Sequence, residues 1–175
     1  FWLVMAWIAS IASASAGAPS LQALIDATPR GATLRLAPGA YQGPVNVHTP
    51  IVIDGAHAAT IEGDGRGTVL SVQTNDVTLR GLRLRRSGDS HDRVDAGLLL
   101  QGDGIRVEDN DLEDVLFGIH LKAVNYSVIN GNRVTGKPLA VGLRGDAIRM
   151  WNSHDNRIEG NTFVRARDIT LANSP

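Results

Sequence analysis

Five histidines, His48, His57, His91, His120 and His154, are the first residues to weigh for chemistry, because imidazole is the commonest metal ligand. None forms a His-x-His or His-x3-His pair, so any metal site must be gathered from distant segments. His91 and His154 are the two weak candidates. His154 lies in Trp151-Asn-Ser-His-Asp-Asn156, beside Met150, and thioether with imidazole suits copper. Met150 is expected to face a core, however, which parts it from His154. The acidic run Glu108-Asp-Asn-Asp-Leu-Glu-Asp114 could be read as a calcium site, but it lacks the glycine-spaced nonapeptide of calcium-binding solenoids. A solvated strand and turn fits it better. Asp92, Asp95, Arg144 and Asp146 are the groups a polysaccharide lyase or hydrolase could use, since that chemistry needs paired carboxylates or a base beside them. Aromatic platforms for sugar rings are scarce: Tyr41, Phe117, Tyr126, Trp151 and Phe163, of which Phe163 reads as core. The chain has no cysteine, which excludes disulfides, zinc–thiolate sites, iron–sulfur clusters and thiol chemistry.

The elements that position these groups follow from a repeat. Val77-Thr-Leu-Arg-Gly-Leu-Arg-Leu84, Ile105-Arg-Val-Glu-Asp-Asn-Asp-Leu112, Ser127-Val-Ile-Asn-Gly-Asn-Arg-Val134 and Asn156-Arg-Ile-Glu-Gly-Asn-Thr-Phe163 align on their centres, and Ile51-Val-Ile-Asp-Gly55 fits the first half. Ile53, Leu79, Val107, Ile129 and Ile158 are equivalent, at successive spacings of 26, 28, 22 and 29 residues. That is the period of a solenoid. A second family of short strands lies between them: Leu70-Ser-Val72, Leu98-Leu-Leu100, Ile119-His-Leu121, Ile148-Arg-Met150 and Ile169-Thr-Leu171. Both alternate as strands with one buried face do. The expected fold is all-β, a right-handed parallel β-helix whose coils are stable only as a stack. A sandwich would show hairpin turns, and the single Asn-Gly, Asn130-Gly131, falls inside the repeat. Asn110, Asn132 and Asn161 share one repeat position at a bend. Asn tolerates left-handed backbone, and stacked amides bond along a stack, so the three are expected to form a ladder. With 19 glycines and 5% aromatics, the composition suits short strands and tight turns.

Loop lengths are asymmetric. On one side the steps between strands run 5, 5, 6 and 6 residues; on the other, Leu84 to Leu98, Leu112 to Ile119, Val134 to Ile148 and Phe163 to Ile169, they run 14, 7, 14 and 6. Two long insertions, Arg85–Gly97 and Thr135–Ala147, should therefore project from one edge, the edge that often binds in solenoids. Stacking puts their roots about 10 Å apart. Arg93, Asp95, Arg144 and Asp146 are expected to be neighbours there, as partner-recognition residues or as salt bridges holding the loops.

Three segments organise the chain. Residues 1–16 carry no charge and end in Ala14-Ser15-Ala16, which reads as the core and cleavage site of a signal peptide truncated at its start. The competing membrane anchor would need about 20 apolar residues. Residues 17–33 read as a capping helix and lead-in, with Ser20 as N-cap and Leu21, Leu24 and Ile25 as its apolar stripe. Residues 34–175 carry the β-helix repeats; no cap closes their C-terminal end, so further coils are expected. The chain should be exported, its mature part from Gly17 onward lying outside the cytoplasm with no membrane span after cleavage. Its net charge of −1 argues against a nucleic-acid partner.

The segments Leu36-Ala-Pro-Gly-Ala-Tyr-Gln-Gly43, Asp95-Ala-Gly-Leu-Leu-Leu100, Gly118-Ile-His-Leu-Lys122, Gly145-Asp-Ala-Ile-Arg-Met-Trp-Asn-Ser153 and Arg167-Asp-Ile169 resemble, in this order, the NosD family. Those are periplasmic β-helix proteins needed to mature nitrous oxide reductase. The first motif is generic to β-helices; the run Arg144 to Ser153 followed by Arg167-Asp168 is more specific. Ala147 and Ile169 stand where the family usually has Gly, and the family's chains are far longer. The resemblance implies a non-enzymatic partner of an ABC transporter permease and ATPase. Together they assist assembly of the reductase's copper–sulfur centre. It attaches copper to the family, but no motif here supplies a ligand set residue by residue. A carbohydrate-active enzyme and an extracellular scaffold or adhesin are the alternatives.

Overall fold

Apolar residues at alternate positions make each short segment a strand, and no coil can bury its stripe alone. The structure, a computed structural model that describes residues 19–174, answers with a parallel β-helix. Each coil has three strand rows. The first row is Thr33–Arg35, the first part of Val52–Glu62, the first part of Thr78–Arg85, Arg106–Glu108, Val128–Asn130 and Arg157–Glu159. The second is Gly39–Gln42, the later parts of those two long strands, Asp111–Val115, Arg133–Gly136 and Thr162–Val164. The third is a 6-stranded parallel sheet of Val45–Val47, Leu70–Val72, Ala96–Leu100, Phe117–Lys122, Ile148–Trp151 and Ile169–Ala172. The expected inward column forms in register: Ile53 pairs with Leu79, Leu79 with Val107, Val107 with Ile129 and Ile129 with Ile158. One coil precedes the expected set. Leu34, in the strand Thr33–Arg35, lies beside Ile53 and extends the inward column by one coil.

The asparagine ladder forms. The side-chain oxygen of Asn110 accepts the Leu82 N–H at 2.9 Å, that of Asn132 the Asn110 N–H at 3.0 Å, and that of Asn161 the Asn132 N–H at 2.9 Å. Each amide group donates inward to a strand carbonyl, of Leu79, Val107 and Ile129 in turn. The left-handed backbone falls one residue earlier than expected, at Gly81, Asp109, Gly131 and Gly160. The turn is made there, which frees the asparagine side chain to face inward and bond along the stack.

A second ladder lies on the tight-turn side, where the sequence reading had placed none. Asn75, Asp103 and Asn125 accept the N–H of Asp103, Asn125 and His154 respectively, at 2.8–3.0 Å. Ser127, Ser153 and Ser174 accept those of Ile105, Val124 and Ser153. The positions 75, 103, 125 and 154 carry the same 28-, 22- and 29-residue spacings as the core column, so periodicity marked them too.

The helix Leu21–Ala27 forms as expected, capped by Ser20, whose hydroxyl accepts the Ala23 N–H, with Leu21 and Ile25 in the core. In the last described coil Ile169 and Leu171, which continue the inward column, are exposed. The proposed leader, residues 1–16, lies outside the described residues. Among those described, no helix is long and apolar enough to cross a membrane.

Candidate functional site

Both long insertions leave the stack at the edge where strands of the third row begin, and they meet. Lys137 of the second insertion reaches Asp89 of the first at 3.1 Å and Asp114 of the coil between at 3.6 Å. Beneath them Ala96, Leu116 and Phe117 form a small apolar cluster separate from the main core, and Val94 and Leu139 pack on it, one from each loop. Gly88 is needed in the first insertion because a Cβ there would overlap the Asp95 carboxylate.

The four expected neighbours do not form one cluster. Asp95 is buried, accepts the Ser90 N–H at 3.0 Å and pairs with Arg93 at 3.3 Å. Asp146 is buried between Arg149 at 3.2 Å and Arg167 at 2.9 Å. Arg144 donates to the Leu139 carbonyl across its own loop. Both aspartates are thus buried at the loop roots and paired with arginines. Exposed surface at this edge comes instead from His91, Asp92 and Arg93 and from a 3-10 turn, Val141–Leu143, where Val141 and Leu143 are 62% and 59% exposed.

Sequence reasoning missed Phe117, Arg149 and Arg167 as site residues. The His91 ring meets Phe117 edge-on at 5.7 Å, and the Arg149 guanidinium lies 5.8 Å from the Phe117 centroid, an attractive cation–π geometry. Phe117 therefore joins the loop edge to the outer face of the third row. A signal was available: residues 117, 146 and 167 repeat the 29- and 21-residue spacings of Ile119, Ile148 and Ile169.

On that outer face Ser71, Leu99, His120, Arg149 and Thr170 stand in one column, and Lys122 lies beside Trp151 in the next. Burial, and then the Arg149 and Lys122 cations, push His120 down to about 4. Its neutral form is favoured in the fold, while the unfolded chain titrates near the usual 6.5. Its contribution is therefore complete above pH 6.5 and lost as pH falls from there towards 4. His120→Gln is expected to flatten that part of the pH dependence of Tm; an unchanged profile would show that His120 titrates normally.

The first row's outer face is different. Arg80 pairs with Asp54 at 2.9 Å, Arg106 with Glu108, and Arg157 with Glu159 at 2.8 Å, so its charges are satisfied locally. Burial alone would raise Asp54, but the Ala56 N–H, Arg80 and Arg35 outweigh it and hold the carboxyl below its usual range. The run Glu108–Asp114 forms strand, bend and strand. Within it the Asp111 carboxyl is raised by burial and by Glu113 beside it.

Copper finds no fitting donor set among the described residues. No group of three or more His, Cys, Asp or Glu is placed to hold a metal there. His154 is engaged by Asp155 at 2.8 Å and by the Tyr126 ring edge-on at 5.8 Å. Met150 is 6% exposed, in the core, and His120 faces two cations.

Fold and edge define the class: a parallel β-helix whose two long loops lock together over an apolar cluster. The family model for NosD, periplasmic copper-binding protein, matches residues 45–174, and the chain belongs to the NosD family. It is also 28% identical over 136 residues to the probable ABC transporter binding protein NosD of Pseudomonas aeruginosa, across 76% of this chain and 32% of that protein. The chain thus spans about a third of the length of that curated relative.

Proposed function

We propose that this chain is the exported, periplasmic, non-catalytic part of a maturation factor that works with an ABC transporter in assembling the copper–sulfur centre of nitrous oxide reductase. It acts by binding protein partners. The observation that carries this reading is the locked pair of long loops, a rigid projecting edge with exposed Val141 and Leu143. Exposed apolar side chains on a fixed support are what protein recognition uses. The relative's name, an ABC transporter binding protein, and the family's periplasmic description agree with it. A binding role is further supported by Asp95 and Asp146, the carboxylates an enzyme would need. Both are buried and already matched by arginines. Copper enters this reading as the cargo of the assembly rather than as a resident of the described residues.

Val141→Asp with Leu143→Asp, in the full-length protein, tests it. Both side chains are exposed, so the melting temperature is expected to stay within about 2 °C, while the copper content of the reductase in cells falls about tenfold or more. Normal reductase copper content in that variant would sink the proposal.

A further inference from the structure

The two outer faces of the solenoid differ in a way the fold does not require. First-row side chains alternate in sign and pair with one another. Outward positions of the third row, among the described residues, carry no Asp or Glu: Leu99, His120, Arg149 and Thr170 form one column, with Lys122 and Trp151 beside it. Lys122 is exposed and has no carboxylate within ion-pair distance among the described residues. Trp151 is 43% exposed, and Tyr126, past the end of the Lys122 strand, is 66% exposed. Tyr126 also holds a left-handed backbone, φ 55°, at a position where the other coils have Asp76, Gly104 and Asp155. The turn sets that backbone in each coil, and the Tyr126 ring stands outside it, edge-on to His154 at 5.8 Å.

We infer that the outer face of the third row, from Leu99 to Thr170, is a docking surface for an acidic segment of the transporter's membrane permease. This rests on the transporter reading above and deepens it. Carboxylates of the partner meet Lys122, and its apolar side chains meet Leu99 and Trp151. Across the four strands that carry it, this surface is about 14 Å wide at the usual strand spacing, enough for one extended segment. Charge complementarity chooses the partner, since an uncompensated cation flanked by aromatic and aliphatic surface favours acidic polypeptide. Phe117 makes the surface continuous with the loop edge, through His91 on one side and Arg149 on the other.

The test is binding of the full-length protein to the purified permease–ATPase complex. Lys122→Glu with Thr170→Glu is expected to weaken binding about tenfold or more, with Tm unchanged, whereas Arg157→Glu on the first-row face should leave binding within about twofold. Wild-type binding that both variants retain equally overturns the inference and leaves the transporter reading standing. A wild-type protein that does not bind the complex at all removes the reading, and this inference with it. Titration with alginate supplies the other arm. Saturable, Lys122-dependent binding to that anionic polysaccharide, without binding to the permease, would also overturn the assignment.

Discussion

Asn132→Ala is expected to cost about 3–5 kcal/mol, the loss of two or more buried hydrogen-bond partners. Asn132 is 1% exposed. Its side-chain oxygen accepts both the N–H and the side-chain amide of Asn110 at 3.0 Å, while its amide group donates to the Val107 carbonyl at 2.8 Å. Alanine would strand these groups where water cannot reach them, and each buried polar group left unpaired costs roughly 1–3 kcal/mol. Asn161 is only partly buried, so Asn161→Ala should cost less. Asn130→Ala, two residues away and facing outward, should stay within about 0.5 kcal/mol. Urea unfolding of the three variants measures this. A loss at position 132 no greater than at 130 would show that the ladder does not stabilise the stack.

A second large effect belongs to the inward column. Ile129 is 0% exposed and lies in register between Val107 and Ile158. Ile129→Ala should cost about 2–5 kcal/mol through lost burial and the cavity left behind. Ile129→Asp should abolish folding, because desolvating a carboxylate with no partner costs several kcal/mol on top of that, against a typical total stability of about 5–15 kcal/mol. Its neighbour makes the control. Val128 faces outward between Arg106 and Arg157, and Val128→Asp should be tolerated because two guanidinium groups flank the new charge. Circular dichroism and thermal melts distinguish them. Equal tolerance at 128 and 129 would mean that the inward register is wrong.

The fold was legible because a parallel β-helix writes its register into residue spacing. The 26, 28, 22 and 29 intervals of the core column are the coil lengths themselves, and a one-residue slip would turn every buried side chain outward. The same intervals carry both ladders, although only the asparagine one was read from them. Residues 34–175 read as repeats, but the column aligned from the sequence begins at Ile53: Leu34, which extends it by one coil, is followed by Arg35-Leu-Ala-Pro38 rather than by the Gly or Asn bend of the later coils.

The site was legible only in outline. Unequal loop lengths placed both insertions on one edge, since each coil must close on the same three rows whatever is inserted between them. Which side chains meet there was not legible. Arg93, Asp95, Arg144 and Asp146 are of the right types to cluster, but Asp146 instead takes Arg167 from the next coil and Arg149 from its own strand. A loop's course away from the repeat follows no period.

By itself, then, the sequence determined the coil architecture, the inward column, the capping helix and the edge that carries the long loops, because each is a local pattern repeated at a regular interval. Only the tertiary structure decided that the loops lock through Lys137 and Asp89, that the two root aspartates are buried, and that, among the described residues, one outer face lacks carboxylates while another pairs its own. Those outcomes depend on distances between side chains from different coils, and such distances exist only once the stack has formed.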